Sequence, residues 1–379
     1  MPFLTYRQVR PWAKAIRAAV LSKKMPPWFA DPRYGHFAND SSLAPDQIRT
    51  IAAWAEQGSP SGLAADAPAV RRWPVGWKIG RPDRVFRMPT AFHVPNDQTE
   101  IEYQYIVVPT GFTEDRWVQQ VEVRPGNRAA VHHAVIYVRE PGSEWLRGEP
   151  RGSAFTVPDR LADGTVNPMS GTTSDILVTY TPGNSQDEWP RGMGKLIKAG
   201  SDLVFQMHYT AVTSSAKNCC DDQTEIALVF SQTPPMERVL TLQMGNSRFI
   251  IPPGHPEYRI HVSGTLPNDA KLLSLYPHMH LRGRSFEYSI VGPAGPQPLL
   301  KVNNYDFYWQ LTYRLADPLP LKAGTRLEFT GVFDNSRNNP KNPDPASAVR
   351  FGNQSTDEMM IGFFDIAVPA GVDKQRFFV

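Results

Sequence analysis

The sequence has little cysteine, little net charge and no long apolar run. Its 379 residues hold two cysteines, and these are adjacent, Cys219-Cys220. That excludes a disulfide framework and a Cys-x-x-Cys zinc or redox motif; a vicinal disulfide and a pair of free thiols both stay open. The formal charge of +3 is small for this length, and no basic cluster is interleaved with aromatics, so nucleic acid is not an expected partner. No apolar stretch approaches the roughly 18–20 residues a membrane-spanning helix needs, so no membrane span is expected. The first residues, Met1-Pro2-Phe3-Leu4-Thr5-Tyr6, lack the charged and apolar regions of a signal peptide.

What the chain does have is proline, glycine and short alternating runs. The 36 prolines and 27 glycines fit many strands joined by turns. Residues 5–58 stand apart. Val9, Trp12, Ala13, Ile16, Ala19 and Val20 recur at helical spacing, with Thr5 as N-cap. That helix is expected to stop before Pro26-Pro27, and a second runs from Pro45 to Gln57. From about residue 76 the pattern changes to strands such as Ile101–Val108, Val131–Val138, Leu203–Tyr209, Leu272–Tyr276 and Met359–Ile366. Many short strands with no long helix between them predict a mainly β fold of antiparallel sandwiches. The division expected is a helical segment and linker over 1–75, then β-sandwich domains over 76–233 and 234–379.

Among nine histidines, two groups carry a chemical pattern. His278 and His280 lie two apart at the end of a strand-like run, so they share a face and form half of a metal site. Their partners are carboxylates, Asp357 or Glu358, or a thioether from Met359 or Met360; a thioether selects Cu(I), a carboxylate suits iron or zinc. His132 and His133 are adjacent on a strand, where neighbours face opposite sides. For both to bind one ion the strand must bulge or end there. His208, late in the same half, offers a third imidazole, and three imidazoles suit copper or zinc.

The order His132-His133, Gln206-Met207-His208-Tyr209, His278-Met279-His280 and Asp357-Glu358-Met359 resembles the copper type II, ascorbate-dependent monooxygenases, the peptidylglycine alpha-hydroxylating and dopamine beta-monooxygenase family. The resemblance covers most of residues 100–366. It implies two tandem jelly-roll-like sandwiches with one copper on each of two facing surfaces. His132, His133 and His208 would hold one ion, and His278, His280 and Met359 the other, where O2 binds. Gln206 falls at a position behind the ligands. The implied function is hydroxylation of a C–H bond of a small-molecule substrate, with O2 and ascorbate or another one-electron donor. The alternative is a non-catalytic copper-binding or electron-transfer protein on the same scaffold.

Peptide-amidating members carry an Arg before the His-x-His and an Asn and a Tyr after the ligand Met. Here Tyr276, Ile361 and Phe363 stand at those positions, which implies a less charged substrate; Arg282 is a further candidate to face it. The scarcity of cysteine makes the chain look like a bacterial relative. Met25-Pro26-Pro27-Trp28 between two helices resembles the latter half of a cytochrome c domain, implying a haem or cytochrome electron donor. The Cys-x-x-Cys-His attachment motif is absent, so haem c is not expected in the chain itself, and the expectation is that the chain begins inside a longer, periplasmic or secreted protein.

Overall fold

The computed structural model describes residues 3–67, 69, 75–96, 101–158, 161–162, 167, 169, 174–211, 220–293 and 295–377, apart from the side chain of Arg376. Cys219 lies outside the described residues, and so does the question of how it pairs.

The chain opens with helices. Thr5 caps Tyr6–Val9: its hydroxyl accepts from Gln8 N, and the Gln8 side chain accepts from Thr5 N at 3.1 Å. Pro11 has no N–H to give an α-helical ladder, and the chain tightens into a 3-10 turn over Arg10–Trp12 before Ala13–Leu21. The single helix expected from periodicity is therefore broken, and it ends at Leu21, short of Pro26. Pro45–Glu56 forms the second helix, with Pro45 at its first position. The segment between them is seated on the second half of the molecule. Ala30 bridges to Val302 and Phe37 to Leu315, and the Trp28 ring lies 4.9 Å from that of Tyr313.

The rest is β. One nine-stranded sheet runs in the order Arg84–Arg87, Glu225–Phe230, Arg116–Arg124, Met193–Ile197, Glu237–Gly245, Ile361–Pro369, Ala270–His278 and Tyr313–Leu321, with Gln186–Glu188 paired to the third of these. A five-stranded sheet of Phe155–Thr156, Gln104–Pro109, Asp202–Tyr209, Val131–Arg139 and Asp175–Tyr180 covers its first half. A four-stranded sheet of Tyr258–Thr265, Arg326–Phe333, Gly283–Gly292 and Gly295–Val302 covers its second. The result is two β-sandwiches with a short helical segment before them. One core holds Val121, Ile136, Leu177 and Phe205; the other holds Leu272, Phe286, Phe329 and Phe364.

The sandwiches are not merely tandem. Met193–Ile197 pairs in parallel with Glu237–Gly245, Glu237 opposite Met193, so one sheet backs both. This continuity was not legible in the sequence, because Pro234-Pro235 reads as a break while the parallel pairing resumes two residues later.

Two local features set up the seam between the halves. Leu273 is an extra residue in Ala270–His278, where the register shifts between Leu272 and Ser274. Leu272 and Leu275 therefore both enter the second core, while Leu273 joins the first. Beyond the bulge Ser274, Tyr276 and His278 share the seam face, paired with Asp365, Phe363 and Ile361. The second feature is Gly362, on which the aromatic core closes. A Cβ there would overlap the Phe329 ring and lie 3.0 Å from Tyr288 Cε1. Gly362→Ala is expected to cost about 2 kcal/mol through overpacking, read as a lower urea midpoint with an unchanged denaturant slope.

Candidate metal centre at the seam

Val131–Arg139 and Asp202–Tyr209 pair antiparallel, with His208 opposite His133 and Tyr209 opposite Val131. His132 is thus the unpaired residue of a β-bulge. The bulge turns both adjacent imidazoles to one side, which a regular strand forbids. His132 Nδ1 lies 3.1 Å from His133 Nδ1, and His208 Nδ1 lies 3.4 Å from the same atom. Among the described residues, these three form the one group of His, Cys, Asp or Glu donors whose ligand atoms all lie within 4.8 Å of one another. Donors about 2.0 Å from one tetrahedral ion stand about 3.3 Å apart, so the trio fits a single transition metal. Tyr103 stands behind it, its hydroxyl 3.2 Å from His133 Nε2 and its ring centroid 4.7 Å from that of His208. That contact leaves Nδ1 as the nitrogen of His133 facing its two neighbours.

His278 ends its strand, and Gln310 holds it. His278 Nδ1 donates to Gln310 Oε1 at 2.7 Å, Tyr276 OH donates to the same oxygen at 3.3 Å, and Gln310 Nε2 donates to the Phe307 carbonyl at 3.1 Å. This fixes the tautomer and leaves Nε2 as the free lone pair of His278. His280 is 1 % exposed, and neither of its ring nitrogens has a hydrogen-bond partner of good geometry. A buried polar group in that state calls for a further partner. The ladder between the last strands ends at His278 opposite Ile361; continued two residues, the same register sets His280 opposite Met359. Met279 and Met360 enter the second core and Met359 does not, as alternation requires if Met359 faces the histidines.

The two histidine sets form one cluster. The ring centroid of His133 lies 5.9 Å from that of His278, and those of His278 and His280 are 5.2 Å apart. Phe307 stacks on His132 at 4.4 Å and stands 6.0 Å from His280. All five imidazoles are held neutral. Burial pulls His208 down to about 3, assisted by His132 and His278. Burial and the nearby His278 bring His132 down to about 4. Burial also lowers His133, His280 and His278, the last against the opposing pull of its bond to Gln310. Neutral imidazoles are the form that binds metal.

The other residues expected at the site divide. Tyr276 and Phe363 lie together, ring centroids 5.6 Å apart, with Phe363 6.3 Å from His278; Ile361 pairs with His278. Arg282 does not face an open site. It is 2 % exposed, with Nε donating to Asn335 Oδ1 at 2.9 Å and Nη1 to the Thr356 carbonyl at 2.7 Å. Gln206 bonds Tyr105 and Tyr137 and no histidine; the glutamine that orients an imidazole is Gln310. Phe307, Gln310 and Tyr103 were not legible as site residues, since none sits in a His-bearing motif. Met25 is 43 % exposed at the end of the helical segment.

No family model and no curated protein matches the chain. Solved structures similar to it are viral capsid proteins. The major capsid protein P2 of bacteriophage PM2 is 8 % identical, with a TM-score of 0.31 over 76 % of this chain and 99 % of that one. The STIV MCP is 10 % identical, with a TM-score of 0.29 over 76 % and 97 %. PBCV-1 VP54 is 6 % identical, with a TM-score of 0.25 over 82 % and 100 %. At these values the likeness carries no role over to this chain.

These findings correct the family expectation. Comparison returns capsid proteins in place of oxygenases, and nothing matched supports membership of the copper monooxygenases. The hydroxylase reaction, the enzyme class and the cytochrome-like reading of residues around Met25 fall with it, and no match supports the copper-binding or electron-transfer alternative either. The physical reason is that the four short motifs describe donors placed on strands facing a seam. Such placement is a property of a metal site and does not define a reaction.

Among the described residues no helix is long and apolar enough to cross a membrane.

Proposed function

We propose that the chain binds transition-metal ions at the seam between its sandwiches, and that the ion's role there is to lock the seam. The observation that carries this reading is the convergence of three Nδ1 atoms at 3.1 and 3.4 Å on a bulge that leaves His132 unpaired in the ladder. Three imidazoles take copper or zinc. A second ion, copper by the softness of the Met359 thioether, would be held by His278, His280 and Met359. An ion held by the trio would fix the bulged strand against its partner. His278, from the other half, stands beside that trio, so order gained at the trio is passed across the seam.

The test is titration of metal-free protein with Zn(II) and with Cu(I), followed by calorimetry and thermal melting. With Zn(II), one ion per chain is expected at the trio, raising Tm by roughly 3–4 °C when free metal exceeds Kd about a hundredfold. In His208→Ala the difference between zinc-free and zinc-loaded melting should vanish. If neither metal binds the parent protein, the reading fails.

A further inference from the structure

A cleft of about 370 Å³ opens where the N-terminal segment crosses the molecule. Trp28 and Asn39 come from that segment, Lys78 from the chain entering the first sandwich, Gln186 from the strand Gln186–Glu188, and Thr312 and Arg314 from the second half. The volume lies in the range of small-molecule sites.

The chemistry of its wall has one sign. Lys78 and Arg314 line it, and no Asp or Glu does. Arg314 is neutralised by Asp187, 3.1 Å away, and its backbone N donates to Asn39 Oδ1 at 2.9 Å. Lys78 is different. Its Nζ donates to Ser185 Oγ at 3.1 Å, and among the described residues no carboxylate pairs with it. The Trp28 indole supplies an aromatic wall, immobilised edge-on against Tyr313 at 4.9 Å and Phe37 at 6.0 Å. Asn39 Nδ2 donates to the Thr312 carbonyl at 2.7 Å, so the segment is bonded to the opposite wall and the cleft is built rather than a gap between loose parts.

We infer that this cleft is a binding site for a small planar organic anion, with the anion at Lys78 and the ring beside Trp28. The site is independent of the metal reading. None of the histidines lines it.

The probe is benzoate, titrated into the full chain by calorimetry at low ionic strength. A Kd below about 1 mM is expected, weakening with added salt. Lys78→Glu, at an exposed rim position, should weaken it at least tenfold while leaving the circular dichroism and Tm unchanged. Benzamide, of the same shape but uncharged, should bind at least tenfold more weakly. No binding of benzoate, equal binding by Lys78→Glu, or equal binding of benzamide overturns the proposal.

Discussion

Taken from pH 7 to pH 5, the metal-free chain loses at least about 2 kcal/mol of folding stability, a steeper loss than its carboxylates account for in that range. The cause is the cluster of neutral imidazoles. His208 is pulled from its ordinary 6.5 to about 3 by burial and by its histidine neighbours, and His132 to about 4. Once unfolded, each regains the ordinary value. Between the two values the unfolded state binds protons that the folded state refuses, so stability falls as pH drops below 6.5 and goes on falling toward the folded pKa. One such group contributes about 2 kcal/mol by pH 5, at 1.36 kcal/mol per pH unit. His133, His278 and His280 are shifted in the same direction. Their shares overlap, since each proton taken up repels the next, and His132 keeps some contact with solvent that reduces its own. Urea midpoints at pH 7, 6 and 5 test this. Replacing His133 and His280 by Gln together should flatten the slope, and a parent curve already flat between pH 6.5 and 5 would show that the imidazoles are not buried neutral. Bound metal does not abolish the effect, because the ion competes with protons for the same nitrogens.

How much of this was legible in sequence depends on whether the cause is local. Strand alternation, Pro and Gly punctuation and the Thr5 cap are local, and the mainly β fold with its helical preface follows from them. The need for a bulge at His132-His133 was also readable, because two adjacent strand residues reach one point only if the pleat is interrupted. What no local pattern carries is contact across the seam. Gln310 meets His278 from 32 residues away, and Phe307 reaches His132 from the other half of the chain. The parallel join of Met193–Ile197 to Glu237–Gly245 is likewise invisible to a reading that takes Pro234-Pro235 as a boundary. The family reading went wrong at another level. Histidine order along the chain reports which strands bring donors to the seam; it does not report what happens to a molecule brought there.

Replacing Glu358 by Ala costs about 3 kcal/mol and loosens the second histidine set while sparing the first. Glu358 is fully buried, and its side chain closes the turn after His280. Oε2 accepts from His280 N at 3.0 Å and Oε1 from Arg282 N at 2.6 Å. Burial pushes its carboxyl up, while the N–H donors of Arg282 and His280 and the Arg282 charge pull it back. The ladder of the last two strands ends at His278 and Ile361, so beyond that point this carboxyl is what keeps His280 beside the Met359 segment. Alanine orphans two buried N–H groups, each worth about 1–3 kcal/mol. It also removes an acid from beside the Arg282 guanidinium, itself buried and bonded to Asn335 and Thr356. Glu358→Gln keeps one acceptor and turns an NH2 toward the other N–H, so it should cost about half as much and remain folded. Its metal binding separates the two sets: the His132, His133 and His208 trio should keep its affinity for Zn(II), and Cu(I) binding at His278, His280 and Met359 should fall about tenfold, the effect of losing an outer-shell support. A Glu358→Ala protein within about 0.5 kcal/mol of the parent would mean that the two backbone N–H groups find other partners and that the carboxyl does not position His280.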